Sequence, residues 1–134
     1  MLIENNLPAE ITKVTDRVPR YQAIRKTLES HVLFHGGWRG FRGMASGKIY
    51  EYLGAGRNIL IAPNDYDVIE QIIKDTGTGK FADTPAEFAK VLNDWFEEWK
   101  TTGKLAFAGK PEKIKNYTRE KQAENLARTI LSLE

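Results

Sequence analysis

The chain has 134 residues, a length that suits one domain (1–134) and leaves two domains too small for normal cores. Apolar residues at 41% and charged residues at 28% sit near the averages for soluble globular domains, which argues against a disordered chain. Twenty Lys and Arg against eighteen Asp and Glu leave a net charge of +2, too little for the strongly basic face that nucleic acid usually selects, so no nucleic-acid partner is expected.

Along the chain, strand-like and helix-like segments alternate, which favours a parallel sheet with helices on its faces. Residues 1–9 are polar, include Pro8, and read as a loose entry. Ile11 to Val18 is β-branched and partly alternating, and predicts a short strand. Pro19 ends it and opens a helix, in which Tyr21, Ala23, Ile24, Thr27 and Leu28 recur at helical spacing. His31 to Phe34 is a short apolar run, read as a buried strand, and residues 36–47 form a glycine-rich loop. Ser46 is the predicted cap of a helix over Lys48–Leu53, ended by Gly54 or Gly56. Asn58–Ala62 is the clearest buried strand, and Pro63, Asn64 and Asp65 make a turn. Val68, Ile69, Ile72 and Ile73 give an amphipathic helix ended near Gly77, followed by a weak strand over Gly79–Ala82. Thr84-Pro85-Ala86-Glu87 predicts a helix start with a capping box, and Phe88, Val91, Leu92, Trp95 and Trp99 form the apolar stripe behind it. A polar linker over 101–117 leads to a C-terminal helix, 118–133, capped by Thr118. Ala123, Leu126, Ala127, Ile130 and Leu133 fall on one side of it. The predicted fold is a three-layer α/β/α domain with a Rossmann-like core over 10–100, about four parallel strands and an extra terminal helix.

The absence of cysteine excludes disulfides, thiolate metal sites and Cys nucleophiles. His31 and His35 are too few for a histidine metal cluster, and no metal site is expected. No stretch approaches the roughly 18 apolar residues of a membrane span and no signal peptide opens the chain, so a reducing, cytoplasmic setting is expected. Two phosphate-loop look-alikes fail. Gly43-Met44-Ala45-Ser46-Gly47-Lys48-Ile49 is one residue short between its glycines and has Ile where magnesium needs Ser or Thr. Thr76-Gly77-Thr78-Gly79-Lys80 follows a helix and enters a strand, the reverse of the required context.

A simpler anion site survives. The glycine-rich loop follows a strand and feeds a helix near Gly47, whose free N–H groups and dipole favour an anion. Lys48 adds positive charge, and Glu51, three residues on, lies roughly on the same side, where its carboxylate can accept hydrogen bonds from vicinal sugar hydroxyls. The bland alternative is a capped helix with a solvated Lys48 and a Lys48–Glu51 surface pair, contributing a few tenths of a kcal/mol. Trp38 either lines a ligand crevice or anchors its loop. His35, at the strand's carboxyl end, is a candidate crevice contact, while His31 simply starts the strand.

The segment Ser46-Gly47-Lys48-Ile49-Tyr50-Glu51-Tyr52-Leu53-Gly54-Ala55-Gly56-Arg57-Asn58-Ile59-Leu60 resembles the "K-x-x-E-Y-L-x-x-G-x-P-I-L" signature of GT-B fold glycosyltransferases, group 1 (family 4-like), in their C-terminal donor-binding domain. Collinear supporting similarity covers roughly residues 11–131. The resemblance implies transfer of a hexosyl group from a UDP- or GDP-sugar to an acceptor hydroxyl, in cell-envelope polysaccharide biosynthesis. It implies that Glu51 holds the ribose, that backbone N–H groups of Gly47, Lys48 and Ile49, beside Ser46, meet the diphosphate, and that Arg17, Val18 and Pro19 lie against the nucleobase. It also implies metal-independent chemistry with no resident cofactor, the helix dipole and basic side chains offsetting the leaving diphosphate's charge.

Departures from the family pattern accompany it. Gly43 stands where many members carry the first glutamate of E-x7-E, so donor-sugar contacts do not carry over, and Asn58 replaces the usual proline. The family's first strands of this domain and its N-terminal acceptor domain have no counterpart in the sequence. The chain is therefore expected to be a fragment that binds nucleotide weakly and does not turn over alone; its catalytic residues are unknown, and membrane association belongs only to a full-length enzyme. The terminal helix is expected to pack on its own core or on a second copy as a homodimer. The rival function is a non-enzymatic α/β interaction or regulatory module, which predicts Glu51 paired or in bulk solvent and no crevice. The donor-domain reading needs Ser46, Gly47, Lys48 and Glu51 around one open crevice with unpaired helix N–H groups.

Overall fold

The computed structural model describes Pro8 and residues 10–133; apart from Pro8, the loose entry expected over 1–9 lies outside the described residues. Among the described residues six α-helices and three strands follow in the order α1 (Arg20–Glu29), β1 (Val32–His35), α2 (Gly47–Ala55), β2 (Asn58–Ile61), α3 (Val68–Thr76), β3 (Gly79–Phe81), α4 (Pro85–Thr102), α5 (Pro111–Ile114) and α6 (Arg119–Leu131). A 3-10 turn, Lys115–Tyr117, joins the last two helices. The chain is an α/β protein whose sheet has three parallel strands in the order β1-β2-β3.

All four residues of the central strand β2 are buried, because it has a strand on each side and helices over each face. Successive strand residues point to opposite faces. Ile59 and Ile61 pack with Ile49 and Leu53 of α2 and Ile69, Ile72 and Ile73 of α3. Leu60 packs on the other face with Ala82 and with Trp95 of α4. The predicted capping box at the start of α4 forms in full: the Glu87 N–H donates to Thr84 Oγ1, and the Thr84 N–H donates to the Glu87 carboxylate. Gly77 ends α3 in the left-handed region, φ 68°, so Thr76 to Lys80 runs from helix into strand and makes no phosphate loop.

Several expectations are corrected. Ile11 to Val18 forms no strand, so the sheet has three strands where about four were expected. A strand persists only when its backbone is paired, and this segment, with Ile11 81% and Val14 69% exposed, buries too little to hold one. β1 begins one residue later than expected and includes His35, while His31 stays outside and exposed. The 101–117 linker is shorter than predicted: α4 runs to Thr102, stops at Gly103, and α5 occupies Pro111–Ile114. Trp95 joins the core, but Trp99 is 40% exposed and stacks on Phe96 at the rim of an apolar cleft. α6 buries none of its residues; Leu126 and Ile130 stay exposed, so packing on its own core is not what this helix does.

The Ala62 N–H donates to the His35 carbonyl. Backbone groups of Leu33 and His35 therefore face β2, and those of Val32 and Phe34 face the open edge of the sheet. The loop leaving β1 is held against the loop leaving β2 by the Gly37 N–H, which donates to the Pro63 carbonyl at 3.0 Å. Gly37 is buried there, and a Cβ on it would overlap the Pro63 carbonyl oxygen. A Cβ on neighbouring Gly36 would meet only the Ala62 carbonyl oxygen, at an ordinary 3.8 Å. Urea denaturation should show Gly37→Ala destabilised by about 1–3 kcal/mol through overpacking. Gly36→Ala should stay within about 0.5 kcal/mol of the parent. Equal losses at the two positions would contradict the close approach.

Candidate functional site

The carboxyl end of β1 and the start of α2 enclose an open crevice of about 700 Å³. It is lined by Phe34, His35, Gly36, Trp38, Ser46, Gly47, Lys48, Glu51 and Tyr52. The β-α connection carries the chain from His35, at the strand end, over the glycine loop to Gly47, and so brings His35 beside Ser46. The helical repeat then places Lys48, Glu51 and Tyr52 along the same side of α2. Of the candidates named from sequence, Ser46, Gly47, Lys48, Glu51, His35 and Trp38 meet around this one space.

Ser46 occupies the N-cap position of α2 with extended backbone angles (φ −76°, ψ 151°), yet its side chain makes no capping bond. Its Oγ lies 2.6 Å from Nε2 of His35 instead. This corrects the predicted capping role: the hydroxyl is taken by the imidazole. The Gly47 and Lys48 N–H groups have no acceptor among the described residues. The Ile49 N–H is not free, because it donates to the Ser46 carbonyl at 3.2 Å, and the Ile49 side chain is fully buried. Ile49 thus belongs to the core and leaves the anion-binding set.

His35 is 6% exposed, and its ring meets Trp38 and Tyr52 edge-on at 5.9 and 6.4 Å. Burial pushes its pKa below the ordinary 6.5; the Gly36 backbone and the Asp65 charge oppose this, and the Lys48 charge adds to it. Its Nδ1 is buried without a hydrogen-bond partner among the described residues.

Glu51 sits where this crevice meets a second, polar one lined by Arg20, Gly47, Tyr50, Glu51, Tyr117, Thr118, Arg119 and Gln122. Its carboxylate pairs with Arg20 at 3.4 Å, both side chains being more than half exposed. It does not pair with Lys48. Such an exposed pair contributes about 0–1 kcal/mol. Arg17, Val18 and Pro19 line neither crevice; the next residue, Arg20, is the one that reaches the site. Arg20 and Tyr52 are not among the site residues that the sequence pattern names. Tyr52 was within reach of the pattern, since it lies four residues after Lys48.

A polar network fixes the loops behind the crevice. Asp83 accepts from Arg39, from the Tyr66 hydroxyl and, at 3.0 Å, from the Asn64 N–H. Bonding to Tyr66 above all holds the Asp83 carboxyl below its usual range. Asp65 accepts from the N–H groups of Ile69 and Glu70, both at 2.9 Å, and so caps α3. Asp67 accepts from the Gly43 N–H at 2.6 Å and ties down the glycine loop. The three strand-end loops are thereby locked to one another.

A separate cleft of about 560 Å³ lies at the other end of β1, lined by His31, Val32, Leu92, Asn93, Trp95, Phe96, Trp99 and Leu105. It is apolar and offers no convergent charge. Among the described residues no group of three or more His, Asp and Glu is placed to hold a metal, and no helix is long and apolar enough to cross a membrane. Comparison with protein-family models, with curated proteins and with solved structures found no match.

The pKa of His35 gives a pH dependence with a definite sign. Between its folded value and 6.5 the unfolded chain binds more protons, so stability rises with pH there. The contribution is complete above 6.5 and is lost as pH falls through the folded value. Denaturation midpoints should fall with acidification in that window, and His35→Gln should flatten this part of the profile. An unchanged slope in the variant would assign the effect to other groups.

Proposed function

We propose that the crevice at the start of α2 is the diphosphate and ribose site of a sugar-nucleotide donor domain, of the kind found in GT-B glycosyltransferases. The observation that carries this reading is the convergence of two acceptor-free helix N–H groups, Lys48 and Glu51 on one open space at the carboxyl end of a parallel strand. Open α/β sheets bind ligands at that end. The crevice volume falls within the range of small-molecule sites. The family reading itself rests on the Ser46–Leu60 segment.

The chemistry follows from charge. In hexosyl transfer from a UDP- or GDP-sugar, the bond from the anomeric carbon to phosphate breaks and one to the acceptor oxygen forms. Negative charge grows on the leaving diphosphate. The α2 dipole and the Gly47 and Lys48 N–H groups stabilise that charge, with the Lys48 ammonium beside them. Glu51 accepts from the ribose hydroxyls once it leaves Arg20, which costs little for so exposed a pair. Trp38 and Tyr52 supply flat apolar surface at the rim. Among the described residues β1 is an edge strand, which leaves room for the added strands that the donor domains of that family carry.

A second reading, a non-enzymatic interaction module, draws on two observations: the Glu51–Arg20 pair, and the exposed apolar side chains Phe34, Leu92, Phe96 and Trp99 near the open sheet edge. Calorimetric titration with UDP, GDP and ADP separates the two. The donor-site reading expects saturable binding of one diphosphate, weakened by Glu51→Ala by about 1.5–3 kcal/mol, the worth of a hydrogen bond to a charged acceptor. No binding at millimolar nucleotide, or binding indifferent to Glu51, would favour the interaction module.

A further inference from the structure

We infer that two copies of this chain pair edge to edge through β1, antiparallel about a two-fold axis at Leu33, and so join two three-stranded sheets into one. The inference goes beyond the nucleotide reading and does not depend on what the start of α2 binds. The second copy occupies the room left beside β1.

The backbone groups of Val32 and Phe34 face away from β2, and among the described residues none of the four finds a partner. A row of unpaired donors and acceptors is a template for another strand, and proteins ordinarily blunt such an edge with charged residues, proline or a bulge. Residues 31–38 hold no Lys, Arg, Asp, Glu or Pro. The edge is unguarded, and it is fitted to itself. With Leu33 on the axis, Val32 lies opposite Phe34 of the second copy, and Phe34 opposite Val32. Both members of each pair present N–H and C=O outward, so each pair exchanges two hydrogen bonds and every outward group is satisfied. A slip by one residue would set Val32 against Leu33, whose backbone groups are already turned to β2. Like charges meet across a two-fold axis, and this strand has none to meet, which favours a second copy as the occupant.

Side chains add area on one face of the joined sheet. Phe34 meets Phe88 of α4 edge-on at 5.8 Å. Leu92, Phe96 and Trp99 continue from Phe88 along one helix stripe. The apolar cleft beside this stripe reaches Val32, so it opens at the same edge. Phe34 and Phe96 are more than half exposed, and Leu92 and Trp99 more than a third. Together they expose roughly 350 Å² of apolar side chain, within the range of functional patches on single chains. The two-fold axis doubles this, and the paired backbones bring the buried area to about 1,000 Å², the low end for a specific contact. Self-association on the order of micromolar or weaker follows. α6 also exposes Leu126 and Ile130, but its backbone is bonded within the helix and offers no such template.

Sedimentation equilibrium of the full chain, from micromolar to millimolar concentration, should show monomer passing to dimer. Val32→Pro deletes an outward N–H that takes no part in the ladder to β2. Phe34→Lys sets a charge on the edge. Each change acts twice across the axis and should weaken the dimer at least about ten-fold. Ile130→Lys on α6 should leave it unchanged. The chain has no cysteine, so Val32→Cys and Phe34→Cys chains, mixed and oxidised, should bridge to each other in preference to themselves. Like positions lie two residues out of register, beyond disulfide reach. In the unaltered chain, hydrogen exchange of the Val32 and Phe34 amides should slow as concentration rises.

A chain that stays monomeric at millimolar concentration overturns the proposal. So does a dimer lost with Ile130→Lys and untouched by Val32→Pro and Phe34→Lys. Exchange at the Val32 and Phe34 amides that does not slow as the dimer forms also overturns it, a readout that needs no variant to fold. Equal bridging within and between the two cysteine chains overturns the register at Leu33. Nucleotide titration enters none of these readouts, so the donor site and the dimer fail independently.

Discussion

Everything in this fold hangs on β2. Among the described residues it is the one strand paired on both sides, and each of its four residues is buried. Removing one of its large aliphatic side chains would cost about 2–5 kcal/mol, a large share of the stability of a domain this size. Ile59 and Ile61 gather α2 and α3 on one face, and Leu60 draws α4 onto the other. Parallel pairing in register, Leu33 with Ile59 and Ile59 with Gly79, brings the carboxyl ends of all three strands to one end of the sheet. The crevice exists because the loops leaving those ends have nowhere else to go.

Loop geometry is then fixed by hydrogen bonds that need no further apolar burial. Asp83 ties Arg39 and Tyr66 to Asn64, and Asp67 holds the glycine loop at Gly43. Gly37 lets two loops touch where any side chain would separate them. This rigidity presents the start of α2 with the Gly47 and Lys48 N–H groups unoccupied among the described residues. A preorganised set of donors is worth more to an anion than the same donors on a mobile loop, because no ordering is needed on binding.

Much of this was legible in the sequence. The apolar run Asn58–Ala62 is the clearest buried strand in the sequence, and the capping residues Thr84 and Glu87 mark the start of α4 to the residue. The site's first outline was legible too, because Gly47, Lys48 and Glu51 are neighbours on one helix, where spacing decides direction. What was not legible depends on tertiary contact. Ser46 looked like a cap, since that is the default for a serine before a helix; only His35, folded in from β1, diverts it. Arg20 reaches Glu51 across the gap between α1 and α2, which no local pattern encodes. Ile11 to Val18 has strand-forming residues but no strand to pair with, and propensity without a partner yields irregular chain. Trp99 shares its helix stripe with Trp95, yet the three-stranded sheet is too narrow to cover both.

The proposed anion site at the start of α2, with a carboxylate one helical turn away, lies at the end of the sheet where such sites occur. Mapping amide shifts of the isotopically labelled chain on addition of UDP tests this most directly. A nucleotide seated as described moves the amides of Gly36, Trp38, Gly47, Lys48 and Glu51 most, and leaves the cleft around Leu92 and Trp99 unchanged. Shifts confined to that apolar cleft or to α6, with the start of α2 silent, would contradict it.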